Sequence, residues 1–185
     1  MNTSTPDARD QEPLRRVVVE GVRPTIEGGP VKRTVGELLE VSADVFADGH
    51  DVVRASLLVL APEAERWREV PMEDLGNDRW SGTFTVAELG TWHYAVRGWV
   101  DRFATWQRDT MRKVEAGLDV VVELLEGASL VEEAATRAPE QAARTLRAVA
   151  VGFRQGDTSV LEDEDPGLGT AMARLADRSA ASTSA

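Results

Sequence analysis

The spacing of apolar residues changes once along this chain, near residue 103, and that change limits the fold more than any other feature. Before it, apolar side chains recur at every second position. Leu39, Val41, Ala43 and Val45 alternate with Glu40, Ser42 and Asp44, while Val53, Ala55, Leu57 and Val59 share another face. Trp80, Gly82 and Phe84 form a third set, and Trp92, Tyr94, Val96 and Gly98 a fourth. A two-residue period puts each set on one side of a β-strand. From Phe103 onward, Met111, Val114, Leu118, Val121, Leu124 and Leu125 follow helical spacing instead. Strands come first and helices second, so the expected class is α+β, mainly β then α.

Turn residues divide the first part into strands about ten residues apart, the pattern of an antiparallel sandwich. The strands expected are Arg16 to Val22, the Leu39 to Val45 stretch, Val52 to Leu60, Arg66 to Met72, Arg79 to Thr85 and Thr91 to Val100. Arg23-Pro24, Gly28-Gly29-Pro30, Asp48-Gly49, Asn77-Asp78 and Leu89-Gly90 separate them. One helix is expected from Phe103 to Leu125, weakened inside by Gly117 and ended by Gly127. A second, capped by Ser129, runs to Ala138, and Pro139 opens a third over Glu140 to Phe153. A last short helix spans Leu168 to Arg178. Residues 1–13 and 179–185 read as disordered polar tails, which leaves a sandwich over 14–102 and a small helical bundle over 103–178.

Lysine and arginine number 21 against 32 aspartates and glutamates, a net charge of −11. That balance opposes sequence-independent binding to nucleic acid or anionic lipid. The chain has no cysteine, hence no disulfide framework, thiolate nucleophile or cysteine zinc site, and a reducing cytoplasm is the expected location. The opening residues MNTSTPDARDQEPL lack an apolar signal core, and no run approaches the ~18 apolar residues of a membrane span. The expectation is a soluble, unsecreted protein.

Catalytic signatures are absent. No GxSxG, GxxxxGK[ST] or GxGxxG sequence occurs. His50 and His93 stand alone, with no partner at metal-ligand spacing, and His93 falls on the strand face opposite Trp92 and Tyr94, where an exposed residue is expected. The acidic run at 162 to 165 lacks the spacing of a calcium loop. Asp119, Glu123 and Glu126 share a helix, but surface carboxylates of that kind are common and do not by themselves make a glycosidase pair. No catalytic residue, metal ligand or cofactor site is assigned. The remaining candidates are tryptophans. Trp67, Trp80, Trp92, Trp99 and Trp106 could present flat faces to sugar rings. The competing reading packs Trp80, Trp92 and Trp99 into the sandwich core.

Four blocks carry a resemblance: GNDRW-x-G-x-F at residues 76 to 84, DGHD at 48 to 51, W-V-D-x-F-A-T-W at 99 to 106 and KVEAG-x-D at 113 to 119. Residues 15 to 138 closely resemble the amino-terminal region of bacterial α-1,4-glucan:maltose-1-phosphate maltosyltransferase. The resemblance implies an immunoglobulin-like β-sandwich, the N domain, with a helical S insertion. It also implies a catalytic α-amylase-type barrel elsewhere in the enzyme, for which ~250 residues are typically needed. These 185 residues cannot hold one, so no catalytic position is carried over. In the family another strand of the N domain follows the helices. Here a Ser/Ala tail follows Arg178, and the sandwich is expected to be one strand short.

The role implied is a non-catalytic one in α-glucan metabolism, with dimerisation and scaffold assembly as its work. Its expected partners are a second copy of the chain or a maltosyltransferase catalytic domain. The alternative is an α-glucan-binding module using the tryptophans. A third reading, glycosyl hydrolase or transferase activity, applies only together with a barrel.

Overall fold

The computed structural model describes residues 17–25, 31–161 and 167–184. The expectations for residues 1–13, the Gly28-Gly29-Pro30 turn and the acidic run fall outside these. Strands β1 (Val17–Arg23), β2 (Leu38–Ala47), β5 (Glu73–Asp74) and β6 (Arg79–Thr85) form one antiparallel sheet in the order β1-β2-β6-β5. Strands β3 (Val53–Leu60), β4 (Arg68–Pro71), β7 (His93–Val100) and β8 (Ser182–Thr183) form the other, in the order β4-β3-β7-β8. The alternating sets read from the sequence face each other. Leu39, Val41, Ala43 and Val45 from one sheet bury against Ala55, Leu57, Val59 and Val96 from the other. The fold class is therefore α+β, an antiparallel sandwich joined to helices.

The strand expected over Arg66 to Met72 is shorter, Arg68–Pro71, and pairs with β3. The chain then crosses to the other sheet, where Glu73–Asp74, beyond the expected strand, pairs with β6. Met72 marks the crossing: it is buried, and its N–H donates to the Ala55 carbonyl at 3.1 Å.

The C-terminal segment corrects the expected tail. Ser182 and Thr183 pair antiparallel with Gly98 and Arg97, and the Ser184 N–H donates to the Val96 carbonyl at 2.8 Å. These residues add a fourth strand to the second sheet, so the sandwich does not lack one on that edge. The helices are inserted between β7 and β8 rather than appended to a finished sandwich. Ahead of β8, Arg178 lies across the outer face of the sheet, its guanidinium carbon 4.1 Å from the Trp99 ring centre and its Nη1 ion-paired with Glu69 of β4. Replacing Arg178 with alanine is expected to cost ~1 kcal/mol, the sum of a partly shielded cation–π contact and a partly exposed ion pair. Urea unfolding would show the loss, and a red shift of tryptophan emission would report the uncovered Trp99.

The helices also differ from the sequence reading. Helix α1 (Arg102–Glu115) stops two residues before Gly117, whose φ of +68° lies in the left-handed region that glycine enters at least cost. Helix α2 (Val121–Ala135) then runs through Gly127 and Ser129, which were expected as a stop and a cap. Ser129 instead donates its hydroxyl back to the Leu125 carbonyl at 3.0 Å, as a mid-helix serine does. Helix α3 (Glu140–Arg154) starts at Glu140 as read, with Pro139 as the residue just before it rather than in its first turn, and α4 (Gly167–Arg174) ends earlier than Arg178. The helices share their own core, which includes Trp106, Leu124, Val131, Leu146 and Phe153.

Candidate functional site

The carboxylates near α2 are tied into structure. Asp119 accepts the Val121 N–H at 3.0 Å, satisfying one of the free amides at the helix start. Glu123 accepts a hydrogen bond from the Lys113 ammonium, which holds its pKa below the ordinary carboxylate value of 4.5. A general acid for glycoside cleavage needs the opposite shift. No group of three or more potential metal ligands occurs among the described residues.

Trp80, Trp99 and Trp106 are buried, and none offers a ring face to a ligand. Trp80 packs in the sandwich core and donates its indole N–H to the Val45 carbonyl at 3.1 Å. Trp106 belongs to the helical core, and its indole N–H donates to the Glu123 carbonyl at 2.7 Å. Trp99 was expected in the sandwich core. It lies outside that core under Arg178, because the two-residue period that sends Val96 and Gly98 inward sends residue 99 outward. Trp67 is exposed, just ahead of β4. His93 is exposed, as its position in the alternation requires.

Trp92 differs from all four. It is half-buried against the edge of the sandwich core and stacks on Phe84, with ring centres 5.6 Å apart and planes at 29°. Its indole N–H donates to the Glu88 carbonyl at 3.2 Å. It lines an open cleft of about 660 Å³ together with Phe84, Tyr94, Thr25, Lys32 and Arg33. The Tyr94 hydroxyl donates to the Pro24 carbonyl. Partial burial raises the Tyr94 pKa above its ordinary 10.0, and the nearby Arg33 charge opposes that rise.

A second surface stands at the other end of β7. Between α1 and the first turns of α2, Leu118, Val121, Val122 and Leu125 are 59%, 58%, 73% and 48% exposed. The sequence placed three of these on the buried stripe of a single helix. The break at Gly117 resets the helical phase, so that Val120 and Leu124 turn inward and these four turn out. The signal available in the sequence was Gly117 itself, read as a break rather than as a weak point.

With both surfaces in place, the decisive comparison is with the model for domain N/S of α-1,4-glucan:maltose-1-phosphate maltosyltransferase, which matches residues 15–185. This chain belongs to the maltosyltransferase N/S-domain family. The N/S match includes β8 and the helices beyond residue 138, where the sequence resemblance had ended. Among full-length relatives, the maltosyltransferase of Chlorobaculum tepidum is 46% identical over 134 residues, 71% of this chain and 20% of that protein. The enzyme of Myxococcus xanthus is 46% identical over 155 residues, 78% of this chain and 23% of that protein. That of Salinibacter ruber is 40% identical over 170 residues, 89% and 25% respectively. The N/S domain thus spans about a fifth to a quarter of the curated relatives it matches. No helix among the described residues is long and apolar enough to cross a membrane.

Proposed function

We propose that this N/S domain is a non-catalytic assembly element of maltosyltransferase, and that a second copy of the chain docks on the apolar elbow between α1 and α2. The maltosyl transfer for which its relatives are named belongs, on this reading, to parts of those proteins outside the matched region. The observation that carries the proposal is the run Leu118, Val121, Val122 and Leu125, four large apolar side chains open to solvent within eight residues. Soluble surfaces seldom gather apolar residues so densely unless another surface covers them. The closed ion pair of Lys113 and Glu123 beside the elbow supports a structural role over a chemical one. A reducing, cytoplasmic setting fits a chain without cysteine.

Light scattering of the purified chain across micromolar concentrations tests this. A concentration-dependent dimer is expected, and the double substitution Val122→Asp and Leu125→Asp is expected to weaken it at least ~10-fold, because two carboxylates would lose their water in the interface. A wild-type chain that stays monomeric throughout, or a dimer untouched by the substitutions, would refute the proposal.

A further inference from the structure

We infer that the cleft at the Trp92 end of the sandwich binds a neutral oligosaccharide, with one sugar ring laid against its aromatic wall. This goes beyond assembly and uses a different surface. The helices join the sandwich at the C-terminal end of β7, whereas Trp92 precedes its first residue.

Four observations point to this ligand class. The first is rigidity. Trp92 is held by Phe84 on one ring face and by the Glu88 carbonyl at its N–H, so little side-chain freedom remains to be lost on binding. Flat aromatic faces of this kind suit the apolar C–H face of a sugar ring. The second is size: about 660 Å³ lies within the ~300–1,000 Å³ range of ligand sites.

The third is that Trp92 also lines a separate cleft of about 440 Å³, with Arg66 and Arg68 in its wall. A tryptophan shared by two neighbouring clefts fits a chain of repeated rings better than one compact molecule. The fourth is the polar rim. Thr25, Thr91 and Arg33 bring hydroxyl and guanidinium groups to the first cleft, which match the hydroxyls on the edge of a sugar. Lys32 and Arg33 both line this cleft, and they do not by themselves call for an anion, because Glu37 already pairs with Arg33 at 3.3 Å and the chain carries a net charge of −11.

Calorimetric titration of the full chain with maltoheptaose, cellohexaose and laminarihexaose tests the inference and reads the preferred linkage. Saturable binding of at least one of them at millimolar concentration is expected. Trp92→Ala should weaken it ~10-fold, the upper end of what one aromatic contact contributes beyond the area it buries. Because Trp92 also packs against Phe84, a second variant, Thr91→Trp, fills the cleft from an exposed rim position and should weaken binding without disturbing the core. Trp67→Ala should leave the affinity unchanged, since Trp67 lines neither cleft. Undiminished binding by the variant carrying Val122→Asp and Leu125→Asp is expected, which separates this site from the assembly surface. No saturable heat with any of the three sugars would overturn the inference. Full affinity in both Trp92→Ala and Thr91→Trp, or loss of binding in Trp67→Ala, would do the same.

Discussion

Substituting valine for Gly127 is expected to destabilise the helical half by ~3 kcal/mol, the largest single-residue effect anticipated in this chain. In a free helix the change would run the other way, since glycine lies ~1 kcal/mol below alanine in helix propensity. Packing decides the sign. A Cβ atom at residue 127 would stand 2.0 Å from Cζ2 of Trp106 and 2.4 Å from its Cη2, well inside any van der Waals contact. The indole cannot retreat. Its centre lies 5.2 Å from that of Phe103 and 5.3 Å from that of Phe153, and its N–H is bonded to the Glu123 carbonyl. Relief would require moving three aromatic rings or separating α1 from α2. Alanine at the same position should cost about 1–2 kcal/mol, with the clash outweighing the propensity gain. Urea unfolding followed by helical circular dichroism distinguishes the cases. An alanine variant more stable than the wild type would show that the Trp106 ring slides freely, contrary to this packing.

The same glycine shows where sequence reading succeeds and where it stops. The sandwich was legible because its signal is local. Each strand carries its own two-residue alternation, and the four apolar sets meet in one core. Trp80 could be placed in that core for the same reason. The helices were less legible because a glycine has two opposite uses. Gly117, with positive φ, ends a helix, whereas Gly127 continues one because a tryptophan 21 positions earlier occupies the space a side chain would fill. Nothing within a helical turn of Gly127 announces Trp106. The exposed apolar elbow follows from that misreading, since Leu118, Val121 and Leu125 fit a buried stripe only if the helix runs unbroken. β8 was illegible for a further reason. Ser182 and Thr183 carry no apolar alternation, and their partners on β7 lie more than 80 residues earlier. Among the tryptophans, sequence period gave the strand face, but only tertiary packing separates Trp92 beside open clefts from Trp99 under Arg178.

Asp101 joins sandwich and helices, and its replacement by alanine is expected to cost ~2 kcal/mol. The residue is 3% exposed, and nearly every polar atom it has is used. One carboxylate oxygen accepts the Ala104 N–H at 2.9 Å and caps α1, and the other accepts from Arg54 Nε on β3 at 3.2 Å. Its backbone N–H donates to the Val52 carbonyl at 2.7 Å, and its carbonyl accepts the Thr105 hydroxyl at 2.9 Å. Thr105 closes the loop by accepting the Val52 N–H at 2.8 Å. Loss of the cap alone costs ~1 kcal/mol. The ion pair adds less than a fully buried one would, because the Arg54 side chain is 48% exposed and water can solvate it once its partner is gone. Asparagine at residue 101 keeps an oxygen for the cap but puts an NH2 donor where Arg54 Nε found an acceptor, so it loses the ion pair and should retain about half of the lost stability. Chemical denaturation of the two variants separates cap from ion pair, and an alanine variant within ~0.5 kcal/mol of wild type would remove Asp101 from the joint. The consequence reaches function through geometry. The Val52 to Asp101 to Thr105 bonds set the direction in which α1 leaves the sandwich, and α1 carries the apolar elbow at its far end. Asp101→Ala should therefore weaken self-association under conditions where the chain is still folded, while binding at the Trp92 clefts, at the opposite end of β7, stays intact.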